Sequence, residues 1–195
     1  MLQQKLKEAT STQHDQLEEL MFVKNIMDKT LNQDQYKQIL TTNYITHLLY
    51  EDAIHKAINA ENAKALDIDK RYKLNALELD LQDANISASS ISEKFHSLSN
   101  IIEFDEATAL GAMYVLEGAT MGGAVIIKQL NLNPNFSTGY KFNYYGIYKD
   151  NLMPNWKNFV AVLNELPEDQ HPKAINGALY MFEAIAKIAE KVKNI

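Results

Sequence analysis

Apolar residues along this chain recur at steps of three and four, the spacing that gathers side chains on one face of an α-helix. Leu2, Leu6, Ala9, Leu17 and Leu20 set this rhythm and predict one amphipathic helix over residues 2–20. A second helix is expected to start near Asn32 or Asp34, both good N-terminal caps. It would carry Tyr36, Leu40, Tyr44, His47, Glu51, Ile54 and Ile58 on one face. Leu74, Leu77 and Leu81 mark a third helix over residues 69–83, and residues 87–92 read as a serine-rich loop or cap cluster before a short helical piece ending at Phe95. A long fifth helix is predicted over residues 105–130, stopped by Asn131 and Pro134. After an aromatic-rich loop over residues 135–146, a sixth helix covers 154–166. The last begins at Pro172, a favourable first-turn residue, with Ile175, Leu179, Phe182, Ala186 and Ala189 as its stripe. Strand-like alternation is nearly absent, and seven glycines and four prolines are few. The pattern predicts an all-α, single-domain helical bundle over residues 1–195.

Composition narrows the chemistry. A net charge of −6 argues against a nucleic-acid partner, which needs a basic footprint. With no cysteine, disulfides, thiolate nucleophiles, Fe–S clusters and covalent Cys-x-x-Cys-His haem attachment are excluded. The first residues lack the apolar core of a signal peptide, and no uninterrupted apolar run approaches the roughly 20 residues of a membrane helix. A cytoplasmic protein, free of membrane and monomeric or weakly dimeric, is expected.

Two features carry candidate chemistry. His14 sits beside the apolar stripe of the first helix, with Thr10, Leu17 and Glu18 at helical neighbour positions. An imidazole there can offer a neutral nitrogen to iron while Glu18, one turn on, accepts its other ring N–H. It can equally be a hydrogen-bonded or solvated histidine at a helix edge. The second feature is a set of four glycines, Gly111, Gly118, Gly122 and Gly123, inside one predicted helix. Each costs on the order of 1 kcal/mol relative to alanine. Either another helix packs closely there, or a flat ligand lies against bare backbone, between the apolar flanks 112–116 and 124–127.

The segment Leu6 to Glu18, L-K-E-A-T-S-T-Q-H-D-Q-L-E, resembles the proximal-helix motif of the biliverdin-forming haem oxygenase family. Tyr114 to Gly123, Y-V-L-E-G-A-T-M-G-G, resembles that family's distal-helix motif in its bacterial form, and the likeness extends more loosely over Phe142 to Phe159. The resemblance implies haem b between the two helices as both substrate and cofactor. O2 would cleave it to biliverdin, CO and ferrous iron, with electrons from an external NADPH-dependent reductase or a ferredoxin. It makes His14 the iron ligand and Glu18 its hydrogen-bond partner. Gly118 and Gly122 become the distal glycines, with Gly123 beside them. Lys7 would lie near the haem propionates, Lys157 could add charge there, and Thr10, Leu17, Met113 and Tyr114 would line the pocket. Two positions depart from the animal members: Ala119 stands where they place a distal aspartate, and Ser11 where they place a second lysine. His47 falls where those members have a tyrosine that reaches the distal waters; its ring would either help hold water in place of that aspartate or be a core histidine with one nitrogen satisfied.

Two other readings remain open from sequence. A haem-binding protein that has lost oxygen activation would keep His14 and tolerate Ala119. A carboxylate-bridged pair of metal ions on the same fold would use Glu-x-x-His pairs, for which Glu93/His96, Glu168/His171 and the near match Asp52/His55 have the spacing.

Overall fold

The computed structural model describes residues 1–95, 102–136 and 139–194, and among these no strand occurs. The N-terminal helix is broken in two, α1 (Leu2–Ala9) and α2 (Ser11–Leu20). The break lies at Thr10, whose buried side-chain hydroxyl donates to the Leu6 carbonyl one turn back. Such back-bonding competes with the backbone ladder and bends a helix. A short α3 (Val23–Met27) leads to α4 (Gln33–Ala57), which opens with a reciprocal capping box between Asn32 and Gln35.

The expected helix over 69–83 is shorter. After α5 (Ala60–Ala65), a 3-10 turn over Ile68–Arg71 intervenes, and α6 spans only Leu74–Asp83. Residues 87–92, expected as a loop or cap cluster, fall mostly within α7 (Ala88–Phe95), where the Ser87 hydroxyl accepts the Ser90 N–H at the start and Ile91 and Phe95 reach the core. The serines misled because each disfavours helix in isolation, whereas burial of two apolar side chains decides the matter. The long glycine helix is also divided, into α8 (Glu106–Met121) and α9 (Gly123–Asn131), with the break at Gly122. The chain ends with α10 (Leu152–Asn164) and α11 (His171–Lys193).

By length and composition, Glu106–Asn131 is apolar enough to cross a membrane, with mean hydropathy 1.5, although Glu117 and Lys128 interrupt the apolar run. Its placement accounts for that apolarity. α8 is the central helix of the bundle, with Leu110, Ala112 and Met113 fully buried. It also carries a buried glutamate, Glu117.

α11 is the support on which the rest is assembled, packing most extensively on α8 and also on α4, α2 and α1. The α8–α11 contact is backbone on backbone. A Cβ on Gly111 would land on the Ala174 carbonyl, and one on Gly177 would land on the Thr108 carbonyl. The two glycines therefore serve helix packing, and neither helix could approach so closely with a side chain at these positions.

Gly111→Ala is expected to cost about 3 kcal/mol, the upper range for overpacking, read as a lowered urea midpoint of the ligand-free protein. Gly118→Ala, where a Cβ meets nothing within 4 Å, should change stability by less than about 1 kcal/mol, in the stabilising direction. Equal effects at both positions would contradict this division.

Candidate active site

α2 differs from the other long helices in burying none of its residues. Leu17 is half-buried and the His14 side chain is 59% exposed, its ring edge-on to Phe182 of α11 at 6.2 Å between centroids. Glu18 is brought beside it. Its carboxylate oxygen lies 3.7 Å from His14 Nδ1, beyond hydrogen-bond length yet within reach of a side-chain rotation. Next to His14 in the chain, the Gln13 amide oxygen is buried with no hydrogen-bond partner, an uncommon state for an interior polar atom.

The four glycines of α8 and α9 separate into distinct roles. Gly111 packs on α11, as above. A Cβ on Gly123 would strike the carbonyl of Tyr145, so that glycine admits the loop before α10. Gly122 is the exposed break between the helices, with only ordinary contacts around it. Gly118 faces open space. It is the one of the four that packing does not explain. Since α2 and α8 both rest on α11, the histidine helix and the glycine helix share one support.

The other residues expected at the site differ in their surroundings. Met113 is fully buried in the core, and the Thr10 hydroxyl is engaged at the α1–α2 break, so both act in fixing helices rather than as open pocket walls. Tyr114 is half-buried near Trp156, with ring centroids 5.9 Å apart, and burial raises its hydroxyl pKa. Lys7 is exposed at the end of α1 and Lys157 is exposed on α10.

His47 is an interior residue with both ring nitrogens occupied. Nδ1 lies 2.8 Å from Glu51 Oε1 and Nε2 lies 3.3 Å from the Tyr144 hydroxyl. With Nδ1–H donated to the carboxylate, Nε2 accepts from the phenol, and neither nitrogen is left to hold a water alone. Burial lowers its pKa, so the ring is neutral at pH 7. The sequence did not announce the network to which it belongs. Glu51 also accepts the backbone N–H groups of Lys73 and Leu74, which open α6. The Lys73 ammonium, in turn, donates to Glu117, the residue before Gly118. Burial alone would raise the Glu117 carboxyl, but the Lys73 and Arg71 charges outweigh it and hold it below its ordinary value.

The candidate metal-pair residues do not assemble. His171 accepts from Lys5 at Nδ1 (3.2 Å) and bonds the Leu166 carbonyl through Nε2 (3.1 Å). Asp52 pairs with Lys56, while His55 is buried against the Tyr72 ring. His96 lies outside the described residues. Among the described residues, the ligating side chains that converge are His14, Asp15 and Glu18, all exposed on α2.

Taken together, these features define a class, an all-helical domain in which a surface histidine helix and a broken glycine helix share one supporting helix. A family model described as heme oxygenase matches residues 1–191, and the chain belongs to the haem oxygenase family. It is a haem-degrading oxidoreductase. Among curated proteins, none matches the sequence significantly. The fold is similar to that of the NO- and CO-bound haem oxygenase of Neisseria meningitidis. That match has a TM-score of 0.75 and 20% identity, covering 100% of this chain and 93% of that one. The haem oxygenase of Leptospira interrogans gives 0.72 and 19%, covering 97% and 98%. The haem complex of haem oxygenase-1 from the cyanobacterium Synechocystis gives 0.72 and 18%, covering 99% and 92%.

Two outcomes are expected from the interior histidines. His47→Leu leaves the buried Glu51 and Tyr144 groups short of a partner, and should lower stability by about 2 kcal/mol or more in urea unfolding; an unmoved midpoint would contradict the network. His55, with Nδ1 buried and unpartnered, is held neutral by burial, its pKa lowered to about 4. Between the unfolded value of 6.5 and about 4, the unfolded chain binds more protons. The His55 contribution is therefore fully present above pH 6.5 and is lost as pH falls toward 4, by on the order of 3 kcal/mol. Urea midpoints at pH 7 and 4.5 should show this fall, and His55→Gln should flatten it.

Proposed function

We propose that the chain cleaves haem with O2 to biliverdin, CO and ferrous iron, with His14 as the iron ligand and the bare backbone at Gly118 and Gly122 facing the other side of the ring. The observation that carries this reading is the open space at Gly118. Three of the four clustered glycines have a reason in packing or in the helix break, and this one has none within the protein.

The residues present fit a haem. α2 offers a half-buried Leu17, an exposed imidazole and an orphaned buried amide oxygen at Gln13. When bound, haem supplies the iron that binds O2 and the porphyrin that is itself oxidised. His14 offers a ring nitrogen to the iron, and Glu18, 3.7 Å away, would accept its other N–H after a side-chain rotation, which would fix the tautomer and raise ligand basicity. Lys7 and Lys157 stand exposed with charge for the propionate carboxylates. Gly118 lets a flat ring lie close to the helix, where backbone dipoles act at short range. No acidic side chain follows it as far as Gly123: Ala119 is apolar, and the Thr120 hydroxyl donates back to the Glu117 carbonyl. Proton delivery on that side therefore depends on water held by backbone rather than by an aspartate. The chain carries no flavin or nicotinamide fingerprint, so electrons come from a separate NADPH-dependent reductase or a ferredoxin.

Hemin added to the purified protein should give a Soret band that decays in air with ascorbate while a red biliverdin absorbance grows. His14→Ala should remove the histidine-ligated spectrum. A stable Soret under these conditions would make the chain a haem binder without turnover, and a wild-type spectrum in His14→Ala would overturn the ligand assignment.

A further inference from the structure

We infer that Glu117 is a positioning residue for the glycine helix: gripped by Arg71, Lys73 and Tyr148, it sets how the bare backbone at Gly118 is presented. This rests on the reading of Gly118 as haem-facing. The Glu117 side chain is 1% exposed and accepts from Arg71 at 2.7 Å and Lys73 at 2.5 Å. It also accepts from the Tyr148 hydroxyl, 2.8 and 3.0 Å from its two oxygens. Each cation is itself fastened. Arg71, the chain's single arginine, also donates to the Leu66 carbonyl after α5 and the Asn155 carbonyl on α10. Lys73 also donates to the Arg71 carbonyl and lies over the Tyr148 ring at 5.4 Å. The carboxylate thus ties α8 to both sides of the bundle one residue before Gly118.

The second observation lies on the far side of the break. The segment from Phe142 to Lys149 bears positive φ at both ends, 52° and 45°. Non-glycine residues hold such angles only where their surroundings over-determine them. Asp80 on α6 does so beside Phe142, accepting the N–H groups of Asn143 at 2.7 Å and Tyr144 at 2.9 Å. This pinned segment touches the glycine helix twice. Tyr148 bonds Glu117 before Gly118, and the Tyr145 carbonyl lies against the bare Cα of Gly123 beyond Gly122. The turn between them, Gly118 to Gly122, is held at both ends while Ala119 and Gly122 stay exposed. A buried ion pair is weak as a source of stability, because desolvation offsets its attraction. Its advantage here is a fixed register: the carboxylate has one place to go, and the helix goes with it.

Tyr148→Phe tests this without unbalancing the buried charges, and Glu117→Gln provides the stronger perturbation. In the ligand-free variant, amide hydrogen exchange over residues 118–124 should quicken about tenfold relative to residues 107–113 of the same helix, the scale of one lost hydrogen bond to a charged group. In the ferrous CO complex, the C–O stretching band should shift or broaden, because it reports the groups facing the bound ligand. Exchange that quickens evenly along α8, or quickens locally with an unmoved C–O band, would make the clamp a stability element only and overturn the positioning role. Should the wild-type chain fail to take up haem, the site assignment falls while the exchange comparison still decides whether the clamp holds the turn.

Discussion

α8 and α11 touch backbone to backbone, and nearly every other placement follows from that contact. Gly111 rests on Ala174 and Gly177 on Thr108, each glycine giving way to the other helix's carbonyl. With the two axes so close, α11 offers its remaining faces to α4, α2 and α1. The helix bearing His14 and the helix bearing Gly118 are thereby referred to one support. A side chain at either glycine would push that support away from α8 and shift two walls of the candidate site relative to each other.

Around this apolar centre lies a buried polar network. Arg71, Lys73, Glu51, Glu117, Asp80 and His47 are all buried, and each answers another or a backbone group. Fully satisfied networks of this kind narrow the arrangements a core can adopt, because any slip leaves a charge or donor unpaired. Here they join α4 to α6, α6 to the segment before α10, and that segment to α8. The electrostatics serve geometry, and the geometry converges on the break at Gly122.

The same considerations alter the part played by His47. Its position in the sequence suggested a ring facing distal water, whereas its two nitrogens belong to Glu51 and Tyr144. Its influence on the glycine helix runs through Glu51 and Lys73 to Glu117. Histidine suits that position because burial keeps it neutral, with one nitrogen donating and the other accepting.

The apolar rhythm by itself determined the all-helical class, the approximate extents of α4, α8 with α9, α10 and α11, and the presence of His14 on a helix edge with Glu18 one turn on. These are local matters, settled by side chains three and four residues apart. The glycine cluster was equally visible, but not the division of labour within it. Only the tertiary structure decided that Gly111 serves α11, that Gly123 serves the Tyr145 carbonyl, and that Gly118 faces nothing. Glu117 was legible as a letter of the distal motif and illegible as a clamp, since Arg71 and Lys73 lie 46 and 44 residues before it and Tyr148 lies 31 residues after. The break at Thr10 and the early start of α7 likewise escaped the pattern, because a hydroxyl's choice of carbonyl and the burial of Ile91 and Phe95 depend on neighbours brought together only by folding. Periodicity reports which face of an element is apolar; which element that face meets, and how closely, is decided by the contacts of the assembled chain.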